Sequence, residues 1–165
     1  IFATATLMVA AISLVPLILH PAGRSVLRFD HVASSNRLLI GLYAVGALFL
    51  IVYAGHEVFN QFTRTGDDVL RGHYGDLAIW AFSIAVWAGL AVFRRRDWRF
   101  ATWAAGLIAL YLGVGSAVFP TAMSSLGLAG GVLMTAWAIA FVALTERVRG
   151  GLLTESGAIG DSAVR

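Results

Sequence analysis

Five long apolar stretches occupy most of the 165-residue chain, and each is close to the length that crosses a lipid bilayer. They lie at Ile1–Leu19, Leu38–Phe59, Tyr74–Phe93, Phe100–Phe119 and Ala122–Thr145. A hydrocarbon core about 30 Å thick is spanned by about 20 helical residues. Hydrophobic residues make up 59% of the chain, whereas about 45–50% is usual for a soluble domain. The pattern predicts an all-α fold, a polytopic transmembrane helical bundle with five visible spans.

The two ends of the chain lead to separate expectations. The first apolar stretch begins at Ile1 with no polar segment before it, so a sixth helix upstream is a hypothesis for the full bundle. After the last stretch, the Gly150-Gly151 pair is typical of a helix stop. The residues that follow are rich in glycine and serine. We therefore predict a bundle over residues 1–149 and a flexible cytoplasmic tail over residues 150–165.

The arginines predict how the bundle sits in the membrane. All 12 basic residues are arginine, and they are concentrated in loops 20–37 and 94–99 and after the last span. Loop 60–73 has fewer arginines, offset by aspartates, and the turn at Pro120 has none. Cytoplasmic loops are enriched in basic residues. We therefore expect the arginine-rich segments and the C-terminus to be cytoplasmic, in an inner (plasma) membrane of the bacterial type.

The same arginines bear on the binding partners. Arg94, Arg95 and Arg96 form a basic turn beside a membrane span, which suits anionic lipid headgroups. The net charge of +3 comes from arginines at helix ends, so we do not expect the protein to bind nucleic acid. Lipids and other integral membrane subunits are the expected partners.

Small residues predict how the helices pack. Lipid tails are as apolar as leucine, so helices in a membrane associate through close packing of small residues rather than through hydrophobicity. Residues spaced by four lie along one helix face. The predicted packing residues are Ala81, Ala85, Gly89, Ala105, Ala109, Gly113, Ala117, Gly127 and Gly131. These stripes should face one another or a partner.

One polar set near the predicted outer surface is the main candidate for chemistry. His56, Glu57, His73 and Asp76 lie on either side of loop 60–73. They could bind a divalent metal through imidazole and carboxylate, or His56 and His73 could ligate a haem. A quinone or proton-relay site would use His56, Glu57 and Tyr53. The remaining interpretation is structural, a hydrogen-bonded cluster that pins the loop or contacts a partner subunit.

The leading functional hypothesis is a non-catalytic accessory subunit of a larger membrane complex, with no cofactor of its own. The chain contains no cysteine and no lysine, which excludes thiolate chemistry and a P-loop lysine. No span carries a charge at its centre, which argues against an active transporter. Two alternatives stay open: a small haem- or quinone-interacting redox protein, and a homo-oligomeric channel or small-molecule carrier.

The absence of cysteine allows the orientation to be tested by labelling single introduced cysteines. We expect Thr65→Cys, in loop 60–73, to react with a membrane-impermeant maleimide in intact cells. Asp97→Cys keeps every arginine of loop 94–99 and should react only after the membrane is permeabilised. Reaction of Asp97→Cys in intact cells would overturn the orientation.

Overall fold

The structure is a computed structural model that describes residues 36–93 and 98–162, with the backbone alone for residues 151–162. Four long helices and one short helix make up this part of the chain. They are α1 (Arg37–Thr63), α2 (Asp67–Leu70), α3 (His73–Phe93), α4 (Trp98–Val118) and α5 (Gly127–Ser162). The long helices coincide with four of the five predicted spans. The remaining predicted span, Ile1–Leu19, lies outside the described residues.

The apolar character of the helices makes this a multi-pass membrane protein. Helices α1, α3 and α4 and the Gly127–Gly150 part of α5 are each long and apolar enough to cross a bilayer. Large hydrophobic side chains also cover the outside of the described bundle, among them Val45 and Leu133, each 69% exposed. Such a surface suits lipid, because water would be in contact with many apolar groups at once. The all-helical, membrane-spanning prediction is therefore confirmed for four helices.

The helix ends differ from the sequence prediction at two places. Helix α5 begins at Gly127 instead of Ala122, because residues 119–126 form the turn that follows α4. At the other end, α5 continues through the Gly150-Gly151 pair to Ser162, so these glycines do not stop the helix. A glycine inside a helix costs only about 1 kcal/mol, which neighbouring contacts can offset. The predicted boundary between bundle and tail therefore lies within one continuous helix.

The long helices run alternately up and down, and side chains tie them together at both ends. At one end, Gln61 at the end of α1 reaches the start of α3: its Oε1 accepts from the backbone N–H of Gly75 at 3.0 Å. At the other end, Arg99 of α4 pairs with Glu146 of α5 at 3.3 Å. The connections between α1 and α3 and between α4 and α5 consequently lie at the same end of the bundle.

Glycines bring the backbones of α4 and α5 together. A Cβ added at Gly113 would lie 2.7 Å from the backbone nitrogen of Thr135 and 3.0 Å from the carbonyl oxygen of Gly131. A Cβ at Gly131 would in turn meet the backbone of Ala117. Only glycine allows such an approach, so the small-residue faces of α4 and α5 lie against each other here.

Two of the predicted packing residues have other surroundings. Gly89 of α3 faces α1, because a Cβ there would lie 2.9 Å from the hydroxyl of Tyr43. The three stripes therefore do not all face one another. Gly127 has a φ of +70° and an added Cβ would meet nothing within 4 Å, so its role is to start α5 after the turn. The alanines at 81, 85, 105 and 109 are buried in the core.

Trp137 of α5 reaches α1. The indole nitrogen of Trp137 donates to the carbonyl oxygen of Leu42 at 2.9 Å, and its ring stacks on Phe141 at 5.1 Å. A side chain at Gly46 would overlap this indole. The glycine therefore forms the notch in α1 that admits the ring.

The contact between α4 and α5 generates a stability prediction with a matched control. Gly113→Ala should lower the melting temperature in detergent, because the added methyl overlaps the backbone of Thr135. Overpacking of this kind costs roughly 1–3 kcal/mol. Gly115→Ala adds the same methyl to the same helix, where nothing lies within 4 Å, and should leave the melting temperature unchanged or raise it. Equal melting temperatures for the two variants would contradict the proposed packing.

Candidate functional site

Helix α1 grips the turn between α4 and α5 through two side chains. The carboxylate of Glu57, whose residue is only 2% exposed, accepts a hydrogen bond from the hydroxyl of Ser124 at 2.5 Å. One helical turn earlier, the hydroxyl of Tyr53 donates to the carbonyl oxygen of Ser124 at 2.6 Å. The side-chain hydroxyl and the backbone carbonyl of Ser124 are thus both bound by α1.

Ser124 has an unusual backbone conformation. Its φ is +58°, in the left-handed region that residues other than glycine rarely adopt. Strain of this kind persists only where surrounding contacts enforce it. Here the bonds from Tyr53 and Glu57 act on one side of the turn. On the other side, the hydroxyl of Ser125 donates to the carbonyl oxygen of Ser116 at 3.2 Å.

A cleft of about 550 Å³ lies between the second half of α1 and the turn, and we name it the Glu57 cleft. Tyr53, Glu57, Ser124 and Ser125 form part of its wall. Its lining is Phe49, Val52, Tyr53, His56, Glu57, Asn60, Arg64, Tyr74, Met123, Ser124, Ser125 and Leu126. The hydroxyl of Tyr74 donates to the sulfur of Met123 at 2.9 Å, which joins α3 to the same wall. The cleft therefore combines an apolar surface with acidic, basic and hydroxyl groups, as ligand sites commonly do.

The charged groups of the Glu57 cleft are not paired with each other. In the described part of the chain, the one ion pair within 4.0 Å joins Arg99 to Glu146, at the opposite end of the bundle. The carboxylate of Glu57 is therefore buried against a serine hydroxyl, and no described cation pairs with it within 4.0 Å. Arg64 is exposed and its Nε donates to the side chain of Asn60 at 3.3 Å. A buried carboxylate without a cation is costly unless a proton or ligand compensates it.

The structure does not gather the four polar residues that the sequence singled out. His56 is exposed and lines the Glu57 cleft, whereas His73 lines a second cleft of about 660 Å³ that includes Trp80 and Tyr111. Asp76 is exposed on α3.

This separation affects the metal and haem hypotheses. Among residues 36–93 and 98–162, no group of three or more histidine, cysteine, aspartate or glutamate residues is placed to hold a metal ion. His56, Glu57, His73 and Asp76 are not part of such a group, and a metal site built from them stays a prediction from the sequence. A haem held by both imidazoles has no geometric support either, because the two histidines line different clefts.

Loop 60–73 is pinned by a residue that the sequence interpretation did not select. The side chain of Gln61 donates to the carbonyl oxygen of Val69 at 2.9 Å and accepts from the N–H of Gly75. It therefore holds both α2 and the start of α3. A single glutamine at a helix end gives no sequence signal of such a role. The loop is therefore held by hydrogen bonds, as one interpretation of the sequence expected, but they come from Gln61.

Two further ties lie at the opposite end of the bundle. Arg149 is 5% exposed and donates to the carbonyl oxygen of Val92 at 2.7 Å. Its positive charge there interacts favourably with the negative end of the helix dipole of α3. Glu146 accepts from the indole nitrogen of Trp103 at 3.1 Å as well as pairing with Arg99. Arg149 is thus a buried tie between helices in addition to a basic residue near a span end. The lipid candidates Arg94, Arg95 and Arg96 lie outside the described residues.

The hold of α1 on the turn can be measured with a tyrosine pair. Tyr53→Phe removes only the hydroxyl that donates to Ser124 and should lower the free energy of unfolding by about 1 kcal/mol. Tyr111→Phe is the control, because Tyr111 is 68% exposed and should be close to neutral. The measurement is thermal or denaturant unfolding in detergent. A neutral Tyr53→Phe would show that the bond does not hold the turn.

Comparison with known proteins leaves the function to be argued from this geometry. Ser124 meets Tyr53 and Glu57 only because the turn returns to α1, which neither local sequence predicts. No protein family, no curated protein and no solved structure gives a match to this chain.

Proposed function

We propose that this protein is a non-catalytic integral membrane subunit that packs against and stabilises the working subunits of a larger membrane complex, such as a transporter or a respiratory or photosynthetic assembly. The supporting observation is the unequal burial of its helices. Over their most apolar segments, α3 and α4 are each 44% buried, whereas α1 is 28% and α5 is 22% buried. Helices α1 and α5 therefore offer the broad apolar faces against which other membrane helices can pack.

The outer face of α1 has the shape that a partner helix needs. Gly41 and Gly55 are exposed, and a Cβ at either would meet no atom of the described residues within 4 Å. Glycines on a membrane helix let a second backbone approach closely. Val45 and Val52 lie on the same exposed surface, at 69% and 65% exposure. We therefore place the partner contact on α1.

The internal ties suit a subunit that docks as one body. Glu57 and Tyr53 bind α1 to the turn before α5, and Trp137 binds α5 back to α1. At the opposite end, Arg149 joins α5 to α3. Because each long helix is held at its end by a neighbour, a partner on α1 would act on the whole bundle.

The arginine pattern and the topology together support the proposed location. The loop between α1 and α3 and the turn between α4 and α5 lie at one end of the bundle. Both carry little net charge in the sequence. We place this end outside the cell, and the arginine-rich loop 94–99 and the C-terminus in the cytoplasm, for an inner membrane of the bacterial type.

The test is recovery of a stoichiometric membrane partner after purification in mild detergent. Gly41→Leu and Gly55→Leu should each reduce this recovery, because each adds a bulky side chain to the exposed face of α1, where an added Cβ meets no described atom within 4 Å. Gly115→Leu is the control, since it adds the same side chain to α4, at the second cleft, where an added Cβ also meets no described atom within 4 Å, and it should leave recovery unchanged.

Other outcomes would reject the proposal. A lone symmetric oligomer that conducts solute in liposomes would identify a channel or carrier. A Soret absorption band that is lost in His56→Ala would identify a haem protein. Partner recovery that is equal in all three leucine variants would exclude α1 as the contact surface.

A further inference from the structure

The Glu57 cleft has the chemistry of a headgroup site for one class of lipid. We infer that it binds a phospholipid carrying a primary ammonium group, with the ammonium on the carboxylate of Glu57 and the phosphate on the guanidinium of Arg64. The inference stands apart from the proposed function, because it concerns the cleft and not the outer face of α1.

The acidic half of the site is the buried carboxylate. Glu57 is 2% exposed and accepts from Ser124, and no described arginine or histidine pairs with it within 4.0 Å. An ionised carboxylate in such surroundings needs a cation or further donors. A primary ammonium supplies both, since it carries a positive charge and three N–H donors. A quaternary ammonium carries the charge but has no N–H to donate.

The basic half is Arg64, which lies two helical turns from Glu57 on the same side of α1. Asn60 accepts from its Nε and holds the guanidinium at the mouth of the cleft. The two terminal nitrogens are not used in that bond and can donate to a phosphate, for which the guanidinium is well suited. Opposite charges are thus presented at two ends of one cleft, as a zwitterionic headgroup requires.

The apolar part of the cleft lies on the side towards the bilayer centre. Phe49 and Val52 precede Glu57 on α1, are 45% and 65% exposed, and line the same cleft. The acyl chains join the headgroup through its phosphate, so they start beside Arg64 and run back along α1 past Phe49, fifteen residues or about 22 Å away, while the ethanolamine folds into the cleft towards Glu57. The polar residues lie in the last turns of α1, where headgroups are found. This surface favours an intact lipid over a water-soluble phosphoethanolamine.

The experiment measures lipid retention by native mass spectrometry of the full chain released from mixed vesicles. The vesicles contain equal amounts of phosphatidylethanolamine, phosphatidylcholine and phosphatidylglycerol with matched acyl chains. We expect about tenfold preferential retention of phosphatidylethanolamine, because one hydrogen bond between charged groups is worth at least a tenfold change in affinity. Retention of the three lipids in equal amounts would overturn the inference.

Two variants locate the preference. Glu57→Gln keeps an acceptor for Ser124 but removes the charge, and should abolish the preference for phosphatidylethanolamine. Arg64→Gln changes an exposed side chain and should weaken retention of all three phospholipids, so it remains informative if Glu57→Gln fails to fold. Glu146→Gln is the matched control at the opposite end of the bundle and should leave the preference intact.

Further outcomes also decide the inference. A preference that survives Glu57→Gln would mean that the ammonium binds elsewhere. Retention unaffected by Arg64→Gln would remove the phosphate contact. Displacement of the lipid by water-soluble glycerophosphoethanolamine at equal concentration would show that the headgroup alone is the ligand and that the apolar wall has no role.

Discussion

Close contact between the backbones of α4 and α5 is the constraint on which the rest of the described structure depends. In a membrane, apolar surface gives no preference for a neighbouring helix over lipid, so dense packing has to supply the association. Gly113 and Gly131 allow each helix to approach the backbone of the other. The resulting hairpin fixes the position of the turn over residues 119–126. That position decides what the turn can contact on α1.

The Glu57 cleft is a consequence of this placement. Once the hairpin holds the turn beside α1, Tyr53 and Glu57 can bind Ser124 and keep its backbone in the left-handed region. Burial of a carboxylate in this way costs stability unless another charge or a proton compensates it. Costly arrangements of this kind are concentrated at functional sites. This is why the cleft, rather than the scattered histidines, is the strongest candidate for binding.

Among the residues that the structure describes, polar side chains therefore have two distinct roles. Gln61, Arg149 and Glu146 hold helices together at the two ends of the bundle. Such bonds are expected in a membrane, because apolar side chains pack on lipid as readily as on another helix. Glu57 and Arg64 line an open cleft and are not paired with each other. The outer face of α1 forms a third kind of surface, apolar and notched by glycine, which suits another helix.

The sequence by itself determined that this protein is helical and surrounded by lipid, and it determined the approximate position of four membrane-spanning helices. These properties follow from local runs of apolar residues, because a bilayer requires about 20 of them in succession. The small residues at 113 and 131 were also visible as packing positions. Tertiary structure alone decided that Gly89 faces Tyr43, that His56 and His73 line different clefts, and that Ser124 meets Glu57. Those relations depend on how each helix is rotated about its axis and on where a turn returns, and helical spacing specifies neither.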